Sequence, residues 1–167
     1  VMWAYESGLM VGTAHNLFSP QTGITRGMIV TILHRLEKAP ASEAASPFPD
    51  VEAGKWYTDA IAWAAENGIA SGYGNGKFGP NDNVTREQVA AILYRYASFK
   101  GYDVSKTGDL TKFGDAGKLS AWAESAMSWG TANGLINGMG GGVLDPAGNA
   151  TRTEVAAILH RFMLLFS

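Results

Sequence analysis

Along the chain, apolar residues return at helical spacing in two kinds of stretch. In the first kind, Trp56, Ala60, Ile61, Trp63 and Ala64 form a stripe that predicts a helix from about Trp56 to Asn67. Gly68 then supplies a left-handed residue, and the apolar Ile69 follows to pack back on the last turn; Gly8-Leu9 and Gly134-Leu135 repeat the signal. In the second kind, Val89, Ile92, Leu93 and Tyr96 line one face, as do Val155, Ile158, Leu159 and Phe162. An apolar face with a polar reverse lets a helix lie on a core. Between the two kinds lies "SGYGNGKFGPNDN", whose turn formers predict a loop, with room for a short hairpin around Asn75-Gly76.

The pattern is written three times. A shift of 60 residues lays "WAYESGLMVG" over "WAAENGIASG" and "LFSPQTGITR" over "KFGPNDNVTR". A shift of 66 brings Pro80 onto Pro146, Arg86 onto Arg152 and Arg95 onto Arg161. Repetition at this period means supersecondary units that need their neighbours to cover an apolar face. Each second helix opens at a threonine. Thr85 with Gln88 and Thr151 with Glu154 have the spacing of a capping box, whereas Thr25 is followed by Met28 and keeps only the cap. "KAPASEAASP" and "KGYDVSKTGDLTK" read as connectors, each followed by Phe-x-Asp (Phe48-Pro49-Asp50, Phe113-Gly114-Asp115) and then by Trp56 or Trp122. The expected organisation is a first unit over residues 1–38, a linker at 39–47, a second unit over 48–99, a linker at 100–112 and a third unit over 113–167, together one compact domain. The first unit starts inside a helix without the Phe-x-Asp lead-in, which suggests a piece of a longer chain.

Composition narrows the function. The chain has 167 residues, 46% hydrophobic and 17% charged, the make-up of a folded protein that can bury a core. A formal net charge of -2 supplies no overall basic field, which argues against nucleic acid or an anionic membrane as partner; any anion site has to be local. Cysteine is absent, and with it disulfides, thiolate metal sites and cysteine nucleophiles. No apolar run approaches the roughly 20 residues of a membrane span, so membrane insertion is not expected, and no signal peptide is visible. His15, His34 and His160 lack metal-ligand spacing, and "GYGNGKFGPNDN" lacks the ligand alternation of a calcium loop. No nucleophile elbow, phosphate loop or dinucleotide fingerprint appears. No metal, cofactor or catalysis is expected.

The chemistry that stands out is an arginine at the positive end of three helices. Arg26, Arg86 and Arg152 each follow a cap threonine, where the helix dipole would favour an acidic residue. Two readings are open. In one, the guanidinium and the unpaired N–H groups of the helix entrance form a pocket for a carboxylate. In the other, each arginine pairs with an aspartate of a neighbouring unit, such as Asp50 or Asp115, and locks the units together.

With these residues in place, the chain resembles the S-layer homology domain, the triple module that anchors bacterial surface proteins and exoenzymes to cell walls. The resemblance is carried by Phe48-x-Asp50-Val51, Trp56, "AENGIASGYGNGKFGPNDNVTRE" and the three Thr-Arg pairs. It implies an all-α fold, a pseudo-threefold bundle of three helix–loop–helix repeats with the first incomplete at its N-terminus. It also implies grooves between repeats that bind a secondary cell-wall polysaccharide, in many members one bearing pyruvate ketals on N-acetylmannosamine. The family's Thr-Arg-Ala-Glu motif falls on Thr25-Arg26-Gly27-Met28, Thr85-Arg86-Glu87-Gln88 and Thr151-Arg152-Thr153-Glu154, none a perfect copy.

The expected function is therefore a non-catalytic anchoring module, extracellular at the bacterial cell wall, whose partner is a secondary cell-wall polysaccharide with acidic substituents. The alternative is a structural or protein-interaction module for surface-layer assembly, with self-association and no glycan binding of its own. The candidate polysaccharide-binding residues are Arg26, Arg86 and Arg152, their cap threonines Thr25, Thr85 and Thr151, and Glu87 of the second motif. Gly12, Gly72 and Gly138 join them, either to admit a sugar closely or to hold turn geometry. Tyr73, Trp63 and Trp129 are the aromatic candidates, though a Trp on an apolar stripe also reads as core. Trp56 and Trp122 are expected in the core, and Tyr73 and Phe78, with Met139 and Leu144 in the third unit, are expected to line grooves.

Overall fold

The structure, a computed structural model, describes residues 2–12 and 18–167; His15 lies outside the described residues. Among the described residues six helices follow one another: α1 (Met2–Glu6), α2 (Arg26–Leu36), α3 (Thr58–Glu66), α4 (Arg86–Phe99), α5 (Glu124–Ala132) and α6 (Arg152–Leu165), with short 3₁₀ turns at Ala116–Lys118 and Ala121–Ala123 ahead of α5. The three long helices start at their threonines. Thr25, Thr85 and Thr151 accept from the N–H of Met28, Gln88 and Glu154 at 3.2, 3.3 and 3.2 Å. Gln88 and Glu154 reach back to close capping boxes, which the thioether of Met28 cannot do. Gly68 and Gly134 end α3 and α5 with φ of 66° each, and Ile69 and Leu135 behind them are buried.

The expectation of an all-α bundle of helix–loop–helix repeats is corrected in two respects. Helices hold 42% of the chain and strand 4%, with no sheet among the described residues, and the three units meet through extended residues just ahead of the long helices. Antiparallel bridges join Gly23 with Thr151, Thr25 with Asn83 and Thr85 with Asn149. Within them, the Ile24 N–H donates to Ala150 O at 3.0 Å, Ala150 N–H to Val84 O at 2.9 Å, and Val84 N–H to Ile24 O at 2.9 Å, a closed ring. The three side chains are buried. The physical reason is positional: a residue just ahead of an N-cap is extended, so its N–H and C=O find no helical partner. At the centre, away from water, the same residue of the next unit satisfies them.

Secondly, the close helix pairs are made between units and not within them: α2 with α3, α4 with α5, α1 with α6, and α2 with α4. Rings from one unit's second helix meet a tryptophan on another unit's first helix, as His34 with Trp63, Tyr94 with Trp129 and His160 with Trp3, at centroid distances of 5.3, 5.6 and 4.9 Å. The buried apolar residues of all three units form one continuous cluster. Among the described residues no helix is long and apolar enough to cross a membrane.

The Phe-x-Asp lead-in clamps its own unit's loop. Asp50 accepts from the N–H of Phe78 and Gly79 at 2.9 and 2.8 Å, and the Phe48 ring packs tilted against Phe78 at a centroid distance of 5.3 Å. Asp115 repeats this with Leu144 and Asp145 at 2.7 and 2.8 Å. The loop closes through Tyr73 N–H to Lys77 O at 2.9 Å, with Gly74 and Gly76 at positive φ, and no strand pair develops.

Candidate functional site

Each cap arginine crosses into the loop of the following unit. Arg26 donates from Nε to Phe78 O at 2.8 Å and from Nη2 to Ser71 O at 2.7 Å, with its guanidinium over the rings of Tyr73 and Phe78. Arg86 donates from Nε to Leu144 O at 3.0 Å and from Nη2 to Asn137 O at 2.8 Å. Arg152 closes the cycle with Phe18 O at 2.9 Å and Val11 O at 2.5 Å, over the Phe18 ring. All three are nearly fully buried. Pairing with Asp50 or Asp115 is not what locks the units: those aspartates take backbone N–H groups, so Phe78 and Leu144 are each held by an aspartate at N–H and an arginine at C=O.

The free helix entrance is corrected too. Arg26 N–H and Gly27 N–H donate to Asp82 O and Pro80 O at 2.9 Å each. Arg86 and Glu87 donate likewise to Gly148 O and Pro146 O, and Arg152 and Thr153 to Thr22 O and Pro20 O. With the third amide taken by the cap threonine, the first three amides of each long helix are engaged within the protein. Glu87, buried, accepts from Ser120 N–H and Oγ at 3.0 and 2.9 Å and so fastens the third unit's lead-in rather than facing a groove.

What remains open is the outer edge of the guanidinium. An arginine has five N–H donors, and Arg26 and Arg152 each direct only Nε and Nη2 to the protein. Among the described residues no buried side-chain nitrogen lacks a hydrogen bond, so the Nη1 groups of these two reach solvent. No carboxylate of the described residues forms an ion pair with either. Burial holds both guanidinium groups below their ordinary pKa; for Arg26, Tyr73 and Asp82 pull upward against it and Arg95 pushes with it.

Three grooves in corresponding positions border the cap arginines, one along each long helix; in the α6 groove Arg86 Nη1 is already paired with Glu154 Oε1 at 2.7 Å. The α4 groove, about 360 Å³, is walled by Arg26, Gln88, Arg95, Gly72, Tyr73 and Trp122. The α2 groove, about 390 Å³, has Arg152, Met28, Arg35, Gly12 and Trp56 in the corresponding places. The α6 groove, about 220 Å³, has Arg86, Glu154, Arg161, Gly138 and Met139. Each therefore holds two arginines from different units. The second set, Arg35, Arg95 and Arg161, is tethered to Leu9 O, Ser71 Oγ and Leu135 O at 3.3, 3.4 and 3.2 Å. Sequence reasoning missed this set as site residues although the repeat alignment superposes them, because a cation toward a helix's C-terminal end needs no ligand to explain it.

The aromatic expectations divide. Trp63 and Trp129 are 3% and 1% exposed, belong to the inter-unit helix contacts and line none of these grooves. Trp56 and Trp122, expected in the core, are 54% and 55% exposed and each walls a groove. The reason is that α3 begins at Thr58, so Trp56 stands in the turn before the helix and not on its apolar stripe; Trp122 stands in the 3₁₀ turn before α5. Tyr73 and Met139 line grooves, while Phe78 and Leu144 are core. The threonines serve as caps. Gly72 and Gly138 line grooves, but a side chain there would meet Lys77 O at 2.5 Å and Val143 O at 2.7 Å, so their own loops demand glycine.

The family model of the S-layer homology domain matches residues 1–27, 47–90 and 112–156, well over half of the chain. The chain belongs to that family. Similar proteins include the surface-layer 125 kDa protein of Lysinibacillus sphaericus, 35% identical over 93% of this chain and 13% of that protein. The amylopullulanase of Thermoanaerobacterium thermosulfurigenes is 33% identical over 91% of this chain and 8% of the enzyme, and the endoglucanase of Bacillus sp. (strain KSM-635) 32% over 95% and 17%. The chain thus spans less than a fifth of the length of these relatives. Domains of this family occur in S-layer proteins and in cell-surface enzymes, which puts the chain outside the bacterial cell, at the wall.

Proposed function

We propose that this chain is a non-catalytic anchoring module that grips acidic substituents of a secondary cell-wall polysaccharide, pyruvate ketals being the chemistry of choice, in the grooves along its long helices. The observation that carries the reading is the pair of arginines in each groove, together with the absence, among the described residues, of a carboxylate on Arg26 or Arg152. A guanidinium fork suits a planar carboxylate, and the neighbouring Trp56 or Trp122 offers an aromatic wall to the sugar ring. Several grooves on one rigid body meeting a repeating polymer raise retention through effective concentration, without high affinity at any single groove.

The structural-module reading has its own support, since the cap arginines tie the units through backbone carbonyls. That tie accounts for Nε and Nη2 but not for a second arginine per groove. The test is a pull-down on purified cell walls before and after mild acid removal of ketals. Binding lost on ketal removal supports the glycan reading; binding indifferent to it refutes the acidic substituent. Binding absent from both preparations leaves the chain as a structural module.

A further inference from the structure

We infer that Asn75, in the loop of the second unit, is a site of spontaneous covalent modification, converted in the folded protein to aspartate and isoaspartate, while the fold protects the other Asn-Gly pairs. The chemistry is independent of any glycan. Asn67-Gly68, Asn75-Gly76, Asn133-Gly134 and Asn137-Gly138 share one dipeptide, so local sequence does not separate them. In each, a glycine without a Cβ leaves its nitrogen open to the asparagine Cγ. Reaction then needs a free glycine N–H, a free carboxamide and a main chain that can turn between them.

Of the four, Asn75 alone meets these conditions. Asn75 and Gly76 are exposed, and among the described residues neither the Asn75 C=O nor the Gly76 N–H has a hydrogen-bond partner. A Cβ built at Gly76 would meet nothing within 4 Å, so the peptide has room to turn. Asn75 Oδ1 accepts from the Lys77 N–H at 3.0 Å, which folds the carboxamide back over the Gly76 peptide and sets a donor at the oxygen where negative charge develops. Asn67 and Asn133 instead close their helices. Their Nδ2 groups donate to Trp63 O and Trp129 O at 2.8 and 2.9 Å, and the N–H groups of Gly68 and Gly134 donate to Ala65 O and Thr131 O at 3.2 and 3.1 Å. Asn137 is exposed, but Arg86 Nη2 holds its C=O at 2.8 Å, and a Cβ at Gly138 would meet Val143 O at 2.7 Å and the Phe113 ring at 2.9 Å. Its main chain is pinned on both sides.

Solvent hydroxide takes the Gly76 amide proton, the nitrogen bonds to Asn75 Cγ, and the Cγ–Nδ2 bond breaks as ammonia leaves with a proton from water. Water then opens the succinimide at either carbonyl, giving aspartate or isoaspartate with no change in oxidation state. Either product brings a new carboxylate into a hollow lined by Asp50, Asp82 and Lys77. Isoaspartate also adds a methylene to the main chain of the loop that Tyr73 N–H and Lys77 O close at 2.9 Å. Arg26 ties the first unit to this same loop through Ser71 O and Phe78 O, so the modification loosens that tie.

The folded full chain is aged at mildly alkaline pH in ¹⁸O-enriched water beside a urea-unfolded sample. Both are then mapped by peptide mass spectrometry with fragmentation that tells aspartate from isoaspartate. In the folded chain the label should enter at Asn75 at least about tenfold faster than at Asn67, Asn133 or Asn137, which must first break hydrogen bonds or packing. In urea all four should react at similar rates. A folded chain that stays inert at Asn75 while the unfolded one reacts there, or that reacts as fast at any of the other three, overturns the inference. The aged wild type should also melt below the fresh protein, whereas Asn75→Gln, whose longer side chain closes a ring far more slowly, should keep its melt. A wild-type melt that holds after full conversion overturns the loosening of the tie.

Discussion

Arg26→Gln and Arg95→Gln, made separately, distinguish holding the fold from holding a ligand. Arg26 is 5% exposed, makes two hydrogen bonds to the second unit's loop and lies over two aromatic rings. Hydrogen bonds to a charged donor contribute about 1.5–3 kcal/mol each, offset in part because the variant no longer buries a charge. A net loss of about 3 kcal/mol is expected, which for a chain of this size lowers Tm by roughly 6–12 °C. Arg95 is partly exposed and makes one long bond to Ser71 Oγ at 3.4 Å, so its loss should change stability by less than about 0.5 kcal/mol. Thermal melts by circular dichroism report the first difference, and partition onto purified walls reports the second. Both variants should bind walls on the order of tenfold more weakly, because one groove and its share of the avidity are gone. An Arg26→Gln protein that melts with the wild type refutes the tie; an Arg95→Gln protein that keeps full wall binding refutes the paired-arginine groove.

Two further outcomes follow from the loop clamps. Burial alone would raise the pKa of Asp50, but the N–H groups of Phe78 and Gly79 outweigh it and hold the carboxyl below its usual range. The folded value then lies below the unfolded value of about 3.9, so this stabilisation is complete above that pH and is lost as pH falls through the folded value. Acid unfolding of the wild type below about pH 4 should be steeper than that of Asp50→Asn in a pH series of melts, and equal slopes would contradict the clamp. In Gly72→Ala the new methyl meets Lys77 O at 2.5 Å and the Phe48 ring at 2.8 Å. Neither neighbour is a flexible chain end, so the variant should lose about 1–3 kcal/mol in denaturant titration, and a neutral result would mean that the loop opens freely.

Much of the candidate site was legible because its signals are local. Thr85-Gln88 and Thr151-Glu154 cap their helices through atoms three residues apart, and Gly68 and Gly134 stop theirs through their own φ. Illegible were the features whose partners lie far along the chain. That Trp56 is solvent-exposed and Trp63 buried depends on where α3 starts and on what α2 covers, and one apolar stripe drawn through both could not separate them. Whether an arginine at a helix entrance is free, tied or neutralised depends on Ser71, Phe78 and Glu154, dozens of residues away.

By itself the sequence determined the repeat, the positions at which the long helices begin and at which α3 and α5 end, the absence of sulfur chemistry, and the three Thr-Arg pairs where chemistry was to be sought. The tertiary structure decided that the units interlock through a ring at Ile24, Val84 and Ala150, that loop carbonyls take the first amides of the long helices, and that each groove draws its arginines from two units. The division has one physical cause. Caps and turns are satisfied within a few residues, so composition and spacing specify them, whereas burial and charge compensation are properties of whatever the fold brings alongside.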